Sequence, residues 1–394
     1  MSVNTESQPF FKISHWFMLV ASLCLFVIAI NKPIQTWDIL GYAGAVKSLE
    51  ISDKEEIHQS VFSELKSYAT EEELSDLLDS SDYRRTMHQD VDAFNQQIPF
   101  YKIRILFITL ILILTKLGIN AFFASHIIVA AAGAGGLLAF YYAFRKLILP
   151  AFWLIVPMFF IVLSGLEISR MSTADPLAFL WVGLICYAFI HQKWTLFFAL
   201  LVSSVLVRTD LLVLVGLFTV YLMLFKPALR IASGLALLVS MGVYLLVSHY
   251  TDNYGWSTVF YYALISDMQA THPVEYSSLG VSMSQYFSEV VFNIGGFIDE
   301  PPLLLFLALV IFQFILFFSA QEKSNQKKNM ITKVADCMPI ALTTIGVLYV
   351  FAHYFMFPLL ENRFFVAEYM IALLSLLALV TRLMLKEPNK NLKS

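Results

Sequence analysis

The sequence predicts an all-α polytopic membrane protein, and three observations support this fold class. The 394 residues are 58% hydrophobic, only 14% are charged, and the mean hydropathy is +0.71. A soluble protein is about 45–50% apolar and about 25% charged. The apolar residues are also concentrated in long runs, which excludes a disordered chain and makes the lipid bilayer the expected surroundings. The net charge of −3 without a basic stripe argues against a nucleic-acid partner.

Eleven apolar runs are candidates for crossing the bilayer, although several are shorter than the roughly 20 helical residues that about 30 Å of hydrocarbon requires. The first run ends at Asn31-Lys32-Pro33 without a small-residue cleavage site, so we interpret it as a retained signal anchor. The runs are 15–31, 103–118, 119–144, 147–164, 177–190, 194–207, 211–225, 231–249, 302–320, 337–357 and 364–385.

The distribution of Lys and Arg indicates which run does not cross. If 103–118 lies in the interface or is re-entrant, and the N-terminus is cytoplasmic, 14 of the 26 cations fall on the inner side. The later outer loops then receive only Arg170, Arg208 and Arg363. The positive-inside rule therefore predicts about ten transmembrane helices with both termini cytoplasmic. The inner cations are Lys12, Arg145, Lys146, Lys193, Lys226, Arg230, Lys323, Lys327, Lys328, Lys333, Arg382, Lys386, Lys390 and Lys393.

These assignments give a single membrane domain over residues 1–394. It comprises a first span at 15–31, an extracytoplasmic loop at 32–102, the interfacial or re-entrant helix at 103–118, six spans within 119–249, a second extracytoplasmic loop at 250–300, and three spans within 302–385. The first loop has 14 acids and 7 bases. Its apolar spacing between Glu55 and Asp92 predicts two short amphipathic helices over the membrane.

Two outward turns are expected to lie below the outer surface. Arg208-Thr209-Asp210 separates two apolar arms that each span only about 22 Å. The turn at 165–176, which contains Glu167, Arg170 and Asp175, leads into another short arm. Ionised groups at that depth are costly unless they face water or a partner. We therefore expect a water-filled outer cavity that is lined by charges of both signs.

The order of five segments resembles the GT-C superfamily of integral-membrane glycosyltransferases. After one span, members have an outer loop with an Asp near its start, here TWDILGYAGAVKSLE, and then an interfacial segment with Pro and Tyr at its head, here IPFYKIRILFITLILILTKLGI. A helix ending in basic residues (YYAFRK) and an outer turn with Arg and Asp before Pro (SGLEISRMSTADPLAFLWV) follow. The late outer loop carries an Arg followed by aromatics (PLLENRFFVAEYM).

The resemblance implies an inverting enzyme that transfers a sugar from a polyprenyl-phosphate donor to a glycan, lipid or protein acceptor on the extracytoplasmic face. Asp38 would act as the general base, since the acceptor hydroxyl must lose a proton. Cations would stabilise the phosphate leaving group; the candidates are Arg363, Arg208, Arg170 and Lys102. Asp175 is the second catalytic candidate, and the substrate-orienting candidates are Trp37, Tyr42, Tyr101, Asp210 and Glu361.

The chain departs from the family pattern at both acids. Asp38 has no second acid beside it, unlike the Asp-Glu pair of protein mannosyltransferases, and Asp175 is not part of an Asp-x-Asp motif, unlike that of oligosaccharyltransferases. No cofactor is therefore expected and a divalent metal is not indicated. The three cysteines have no CxxC spacing that would indicate a zinc site. The compact form, with no retention signal, suggests a bacterial inner membrane.

Each candidate residue also has a structural interpretation. Asp175 before Pro176 is typical of a helix start, and Arg208 with Asp210 is typical of an internal salt bridge. Arg363 suits an interfacial anchor that pairs with Glu361, and Arg170 could pair with Glu167. Two other functions stay open: a polysaccharide polymerase, ligase or acyltransferase using a lipid phosphate, and a lipid or small-molecule transporter, although no internal repeat supports the latter. A non-enzymatic scaffold would need no recessed Arg and Asp.

Overall fold

The computed structural model describes residues 9–266, 268–277, 279–295, 299–322 and 330–386. These described residues are almost entirely helical and contain no β-strand; one isolated parallel bridge joins Ile34 to Met171. Five of the cations assigned above to the inner side, Lys323, Lys327, Lys328, Lys390 and Lys393, lie outside the described residues, as does part of the loop 250–300.

Six helices in the described part of the chain are long and apolar enough to cross a membrane, which confirms the expected class of polytopic helical membrane protein. They are α1 (Pro9–Asn31), α8 (Ala121–Phe144), α14 (Arg230–Tyr250), α17 (Pro301–Glu322), α19 (Met338–Met356) and α20 (Val366–Lys386). Large apolar side chains on α14, including Ile231, Leu238 and Leu245, are exposed, as expected of a face in contact with lipid.

In the described part of the chain, a short apolar segment, Trp256–Ile265, follows α14, and three further apolar helices before α14 are also shorter than a full span. They are α11 (Asp175–Ile190), α12 (Trp194–Val207) and α13 (Leu212–Phe225). A 3-10 turn at Thr209–Leu211 joins α12 to α13, where the sequence predicts a turn at 208–210.

The predicted span at 147–164 is not one continuous helix. The structure divides it into a 3-10 helix at Pro150–Leu154 and α9 (Val156–Val162), and a short α10 (Gly165–Ile168) follows. Pro150 is the first residue of the 3-10 helix and Pro157 is the second residue of α9. Both positions suit proline, because N–H groups in the first turn of a helix have no partner within that helix. Ser164 between α9 and α10 has a left-handed backbone, with φ of 62°.

The first loop contains more helices than the two predicted between Glu55 and Asp92. Its helices are α2 (Asp38–Lys47), α3 (Lys54–Tyr68), α4 (Glu71–Asp79), α5 (Asp82–Gln89) and α6 (Val91–Lys102). The next helix, α7 (Ile105–Lys116), follows the loop and covers most of 103–118. The side chains of Asp53, Thr70, Ser81 and Asp90 each accept a backbone N–H of the helix that follows, and these caps divide the stretch.

A sharp bend of 111° separates α6 from α7. Helix α7 has 12 residues and is therefore about 18 Å long, less than the thickness of the hydrocarbon core. The pair is thus either one broken span or a re-entrant segment. The bend places Tyr101 and Arg104 beside the start of α2, where the candidate site lies.

Helices α8 and α11 pack closely and run in the same direction. Gly136 on α8 faces the ring of Phe179, and Gly183 on α11 faces Phe140. Small residues at these positions let the two helix backbones approach each other closely. The start of α11, where Asp175 lies, is thereby held against the bundle.

Candidate active site

A cavity of about 560 Å³ lies between the first loop, the α6–α7 bend and the late outer loops. Asp38 and Arg363 both line it. The remaining walls come from the α4–α5 turn, the bend, the segment 259–269 and the segment 357–364: Trp37, Ser80, Ser81, Tyr83, Arg84, Phe100, Tyr101, Ile103, Arg104, Val259, Tyr262, Ala263, Met268, Gln269, Phe357, Leu359 and Phe364. The cavity therefore combines one acid, three arginines and several aromatic rings, which suits a polar ligand with an anionic group.

Asp38 is held by two partners on different parts of the chain. The Tyr101 hydroxyl donates to its Oδ1 over 3.0 Å, and the Arg363 guanidinium donates to its Oδ2 over 3.1 Å. Asp38 is also the first residue of α2, where the helix dipole favours a negative charge. About a quarter of its side chain, 28%, is exposed. The carboxylate is thus fixed in orientation and still reachable from the cavity.

Arg363 stays a cation in this position. It forms ion pairs with Asp38 and with Glu361. Burial alone would lower the pKa of the Arg363 guanidinium, but these two carboxylates raise it above its ordinary value. For the Glu361 carboxyl, burial raises the pKa and the nearby Arg363 lowers it, and the effect of burial is the larger. A fixed positive charge therefore lies directly beside the candidate base.

The predicted aromatic residues occupy two levels. Trp37 and Tyr101 line the cavity, whereas Tyr42 is buried beneath them, 3% exposed, with its ring 5.0 Å from that of Tyr101. Burial raises the pKa of the Tyr101 phenol well above 10, so the phenol stays protonated and its O–H group donates a hydrogen bond to Asp38. Tyr42 supports the wall of the site and does not line it.

Asp175, Arg208 and Asp210 form a separate buried cluster beside the cavity. The Arg208 guanidinium pairs with Asp175 and donates two hydrogen bonds to Asp210, of 3.0 and 2.9 Å. Tyr349 also donates to Asp210, over 2.9 Å, and Thr173 donates to Asp175, over 2.7 Å. Arg208 is only 8% exposed. The turns at 165–176 and 208–210 thus meet, and the charges of Asp175, Arg208 and Asp210 satisfy one another and do not line the large cavity.

Phe364 separates this cluster from the Asp38 site. The Arg208 guanidinium lies 4.7 Å from the centroid of the Phe364 ring, and that of Arg363 lies 5.1 Å from it. Both distances allow a cation–π interaction. Asp175, Arg208 and Arg363 also border one small void of about 10 Å³, together with the buried carboxyl of Glu368.

Besides Arg208, two more of the predicted cations are not brought to the cavity walls. Arg170 donates from Nε to the carbonyl of Lys32, close to the bridge between Ile34 and Met171, and therefore ties the 165–176 turn to the end of α1. Lys102 lies at the end of α6 but does not line the cavity.

The structure adds two arginines that sequence reasoning did not select. Arg104 lines the cavity at the bend, with its guanidinium 6.0 Å from the Tyr101 ring centroid. Arg84 lines it from α5, where it donates to Asp76 and Ser80. Arg104 could have been selected from the sequence, because it lies two residues after Lys102 at the start of an apolar run. Arg84 could not, because it resembles the other charged residues of an exposed helix.

The segment after α14 covers part of the cavity. Tyr262 and Tyr83 share a hydrogen bond of 3.0 Å, and the buried Gln97 amide donates to the carbonyls of Ala270 and Thr271. Burial raises the pKa of Tyr262 to about 12. Hydrogen bonds between neutral hydroxyl, amide and carbonyl groups therefore attach the segment after α14 to the first loop.

The described residues contain no group of three or more His, Cys, Asp and Glu side chains that could hold a metal ion. Comparison with models of protein families, with curated proteins and with solved structures finds no match.

Proposed function

We propose that the chain is a membrane glycosyltransferase of the GT-C type. It transfers a sugar from a polyprenyl-phosphate-linked donor to an acceptor hydroxyl, with inversion at the anomeric carbon. The observation that supports this most is the Asp38 carboxylate, oriented by Tyr101 and Arg363 and facing a 560 Å³ cavity that also contains Arg84 and Arg104.

Asp38 is positioned to take a proton. In the proposed step the acceptor oxygen forms a bond to the anomeric carbon while the bond from that carbon to the phosphate oxygen breaks. The acceptor proton passes to Asp38 and the electron pair leaves with the polyprenyl phosphate. A carboxylate within hydrogen-bond reach of the acceptor hydroxyl is what general-base catalysis requires.

The three cavity arginines provide the charge for the leaving group. Negative charge develops on the phosphate as the bond breaks, and cations fixed in a partly buried site stabilise that charge. Arg363 lies beside Asp38, and the Arg104 guanidinium lies 6.0 Å from the ring centroid of Tyr101, the other partner of Asp38. We assign phosphate binding to Arg363 and Arg104 first. Arg208 stabilises the cluster beneath them, since its donors are already directed at Asp175 and Asp210.

Aromatic rings suit the sugar. Trp37, Phe100 and Tyr101 line one side of the cavity, and apolar ring faces bind the C–H faces of a pyranose. Ser80 and Ser81 add hydroxyls at the α4–α5 turn. The first loop and the segment 259–269 contribute most of the walls, so we assign acceptor recognition to them; the acceptor is a glycan, a lipid or a protein.

The proposed topology has ten crossings and an extracytoplasmic active site in a bacterial inner membrane. It counts the six long helices, the three shorter helices α11, α12 and α13, and the broken stretch 147–168 as crossing. Helix α7 then enters and leaves on one side, for which its short length and the 111° bend are suited. The asymmetry of Lys and Arg supports this sidedness.

The experiment is an assay of purified protein with polyprenyl-phosphate sugars, comparing wild type with Asp38→Asn. The matched control is Asp82→Asn, because Asp82 lies in the same loop and its side chain is 97% exposed. We expect Asp38→Asn to lower turnover at least about 100-fold and Asp82→Asn to leave it unchanged. Unchanged turnover in Asp38→Asn removes Asp38 as the base. If wild type neither binds, hydrolyses nor transfers any lipid-linked sugar, the enzyme proposal fails.

A further inference from the structure

A second cavity lies at the opposite end of α8 and α11 from Asp175. It has a volume of about 350 Å³, and its seven lining residues are Ala139, Tyr142, Arg145, Lys146, Leu184, Tyr187 and His191. The two helices hold it together, because the His191 ring lies 3.2 Å from the carbonyl of Tyr142 and can donate to it. The proposed glycosyl transfer makes no use of this cavity.

The charge of this cavity is one-sided. Arg145, Lys146 and His191 supply basic groups, and none of the seven lining residues is acidic. Lys193 stands at the rim, where it donates to the Tyr187 hydroxyl over 2.8 Å. The Tyr187 hydroxyl accepts this hydrogen bond, so its O–H group can donate to a ligand. The helix dipole alone could explain basic side chains at the carbonyl ends of these helices. It does not explain why a cavity lined by two tyrosines lies there as well.

The shape of the cavity is that of a site for an amphiphile. Arg145 and His191 lie at the helix ends, whereas Ala139 and Leu184 lie about two turns deeper towards the middle of the bundle. The rim is therefore cationic and the floor apolar. A phosphate at the rim would place the attached glycerol and acyl chains along the floor.

We propose that this cavity binds the phosphate headgroup of an anionic glycerophospholipid. Basic pockets between transmembrane helices recognise such headgroups, and Arg together with Lys gives charge-assisted hydrogen bonds to phosphate oxygens. The ligand belongs to the leaflet at which α8 and α11 end. Its assignment as the cytoplasmic leaflet rests on the proposed topology, but the site itself does not depend on glycosyl transfer.

The test measures how much lipid the purified full chain retains. The protein is reconstituted into phosphatidylcholine vesicles containing phosphatidylglycerol and extracted into detergent, and bound lipid is counted by native mass spectrometry. The variant is Arg145→Gln with Lys146→Gln. The control is Lys226→Gln with Arg230→Gln, which removes the same charges from another exposed turn that does not line this cavity.

We expect the Arg145/Lys146 variant to retain about 10-fold less phosphatidylglycerol than wild type, and the control to match wild type. Leu184→Trp, which fills the floor and keeps every cation, should lose the lipid as well. Equal loss in the control pair would overturn the proposal, because general surface charge would then explain retention. If inorganic phosphate displaced all of the bound lipid, and the Leu184→Trp variant retained as much lipid as wild type, the cavity would be a site for free phosphate. That result would also overturn the proposal. The readout is lipid retention, so a failed glycosyl-transfer assay does not affect it.

Discussion

At the scale of single residues, Arg208 and Arg363 look alike in the sequence but differ in their surroundings. Each is an isolated cation in an outward turn of an apolar chain. Arg208 is enclosed by Asp175, Asp210 and the Phe364 ring, whereas Arg363 borders the large cavity and pairs with Asp38. Arg208 is thus held inside a closed cluster of charges, whereas Arg363 borders the cavity to which we assign the substrate under the proposed function.

Replacing Arg208 should destabilise the fold. Arg208→Met leaves the carboxylates of Asp175 and Asp210 without their cation in a buried place, which costs about 3–5 kcal/mol. We expect a clear fall in the thermal unfolding midpoint of the purified protein. Arg85→Met is the control, since its partner Asp82 is 97% exposed and such pairs contribute about 1 kcal/mol or less. An Arg208→Met protein with normal unfolding but no donor binding would instead place Arg208 in contact with the phosphate.

At the scale of elements, local sequence signals and packing each decide different features. The capping pattern Thr70-x-x-Glu73 is readable in the sequence and starts α4, so the additional loop helices could have been predicted from caps. The division of 147–164 at Pro150 and Pro157 is equally local. The close packing of α8 against α11 depends on which glycine of one helix faces which side chain of the other. Only the tertiary structure shows these pairs.

Enlarging Gly136 should therefore weaken the α8–α11 contact. A Cβ at this position would overlap the Phe179 ring, so Gly136→Ala should destabilise the protein by about 1–3 kcal/mol. Gly216→Ala on α13 is the matched control, because nothing lies within 4 Å of the Cβ it adds. Its better helix propensity should stabilise the fold by about 0.5–1 kcal/mol. Thermal unfolding of both variants checks this, and a stabilised Gly136→Ala protein would contradict it.

At the scale of the whole molecule, membrane orientation determines where the chemistry takes place. The inner cations in the described chain lie on short turns such as Arg145-Lys146 and Lys226–Arg230, and the Asp38 cavity lies at the other ends of the helices that precede these turns. In the proposed topology, the positive-inside rule predicts that the cavity lies on the extracytoplasmic side.

Reporter fusions check this orientation. A fluorescent protein fused after Lys146 should be bright and alkaline phosphatase at the same position inactive, because the turn is expected in the cytoplasm. The opposite pattern is expected after Asp252, which begins the second outer loop. Active phosphatase after Lys146 would mean that α7 crosses the membrane and that every later loop changes side.

By itself, the sequence determined the class of protein, because composition and apolar runs are sums over the chain that need no contacts. It also singled out Asp38, Tyr101 and Arg363 as candidates. Only the tertiary structure decided that Asp38 and Arg363, which are 325 residues apart, form one ion pair at a cavity, and that Arg208 is enclosed by acids. It also brought Arg84 and Arg104 to the same walls. Such pairings depend on the packing of several helices and a covering loop, and no local pattern records how those elements meet.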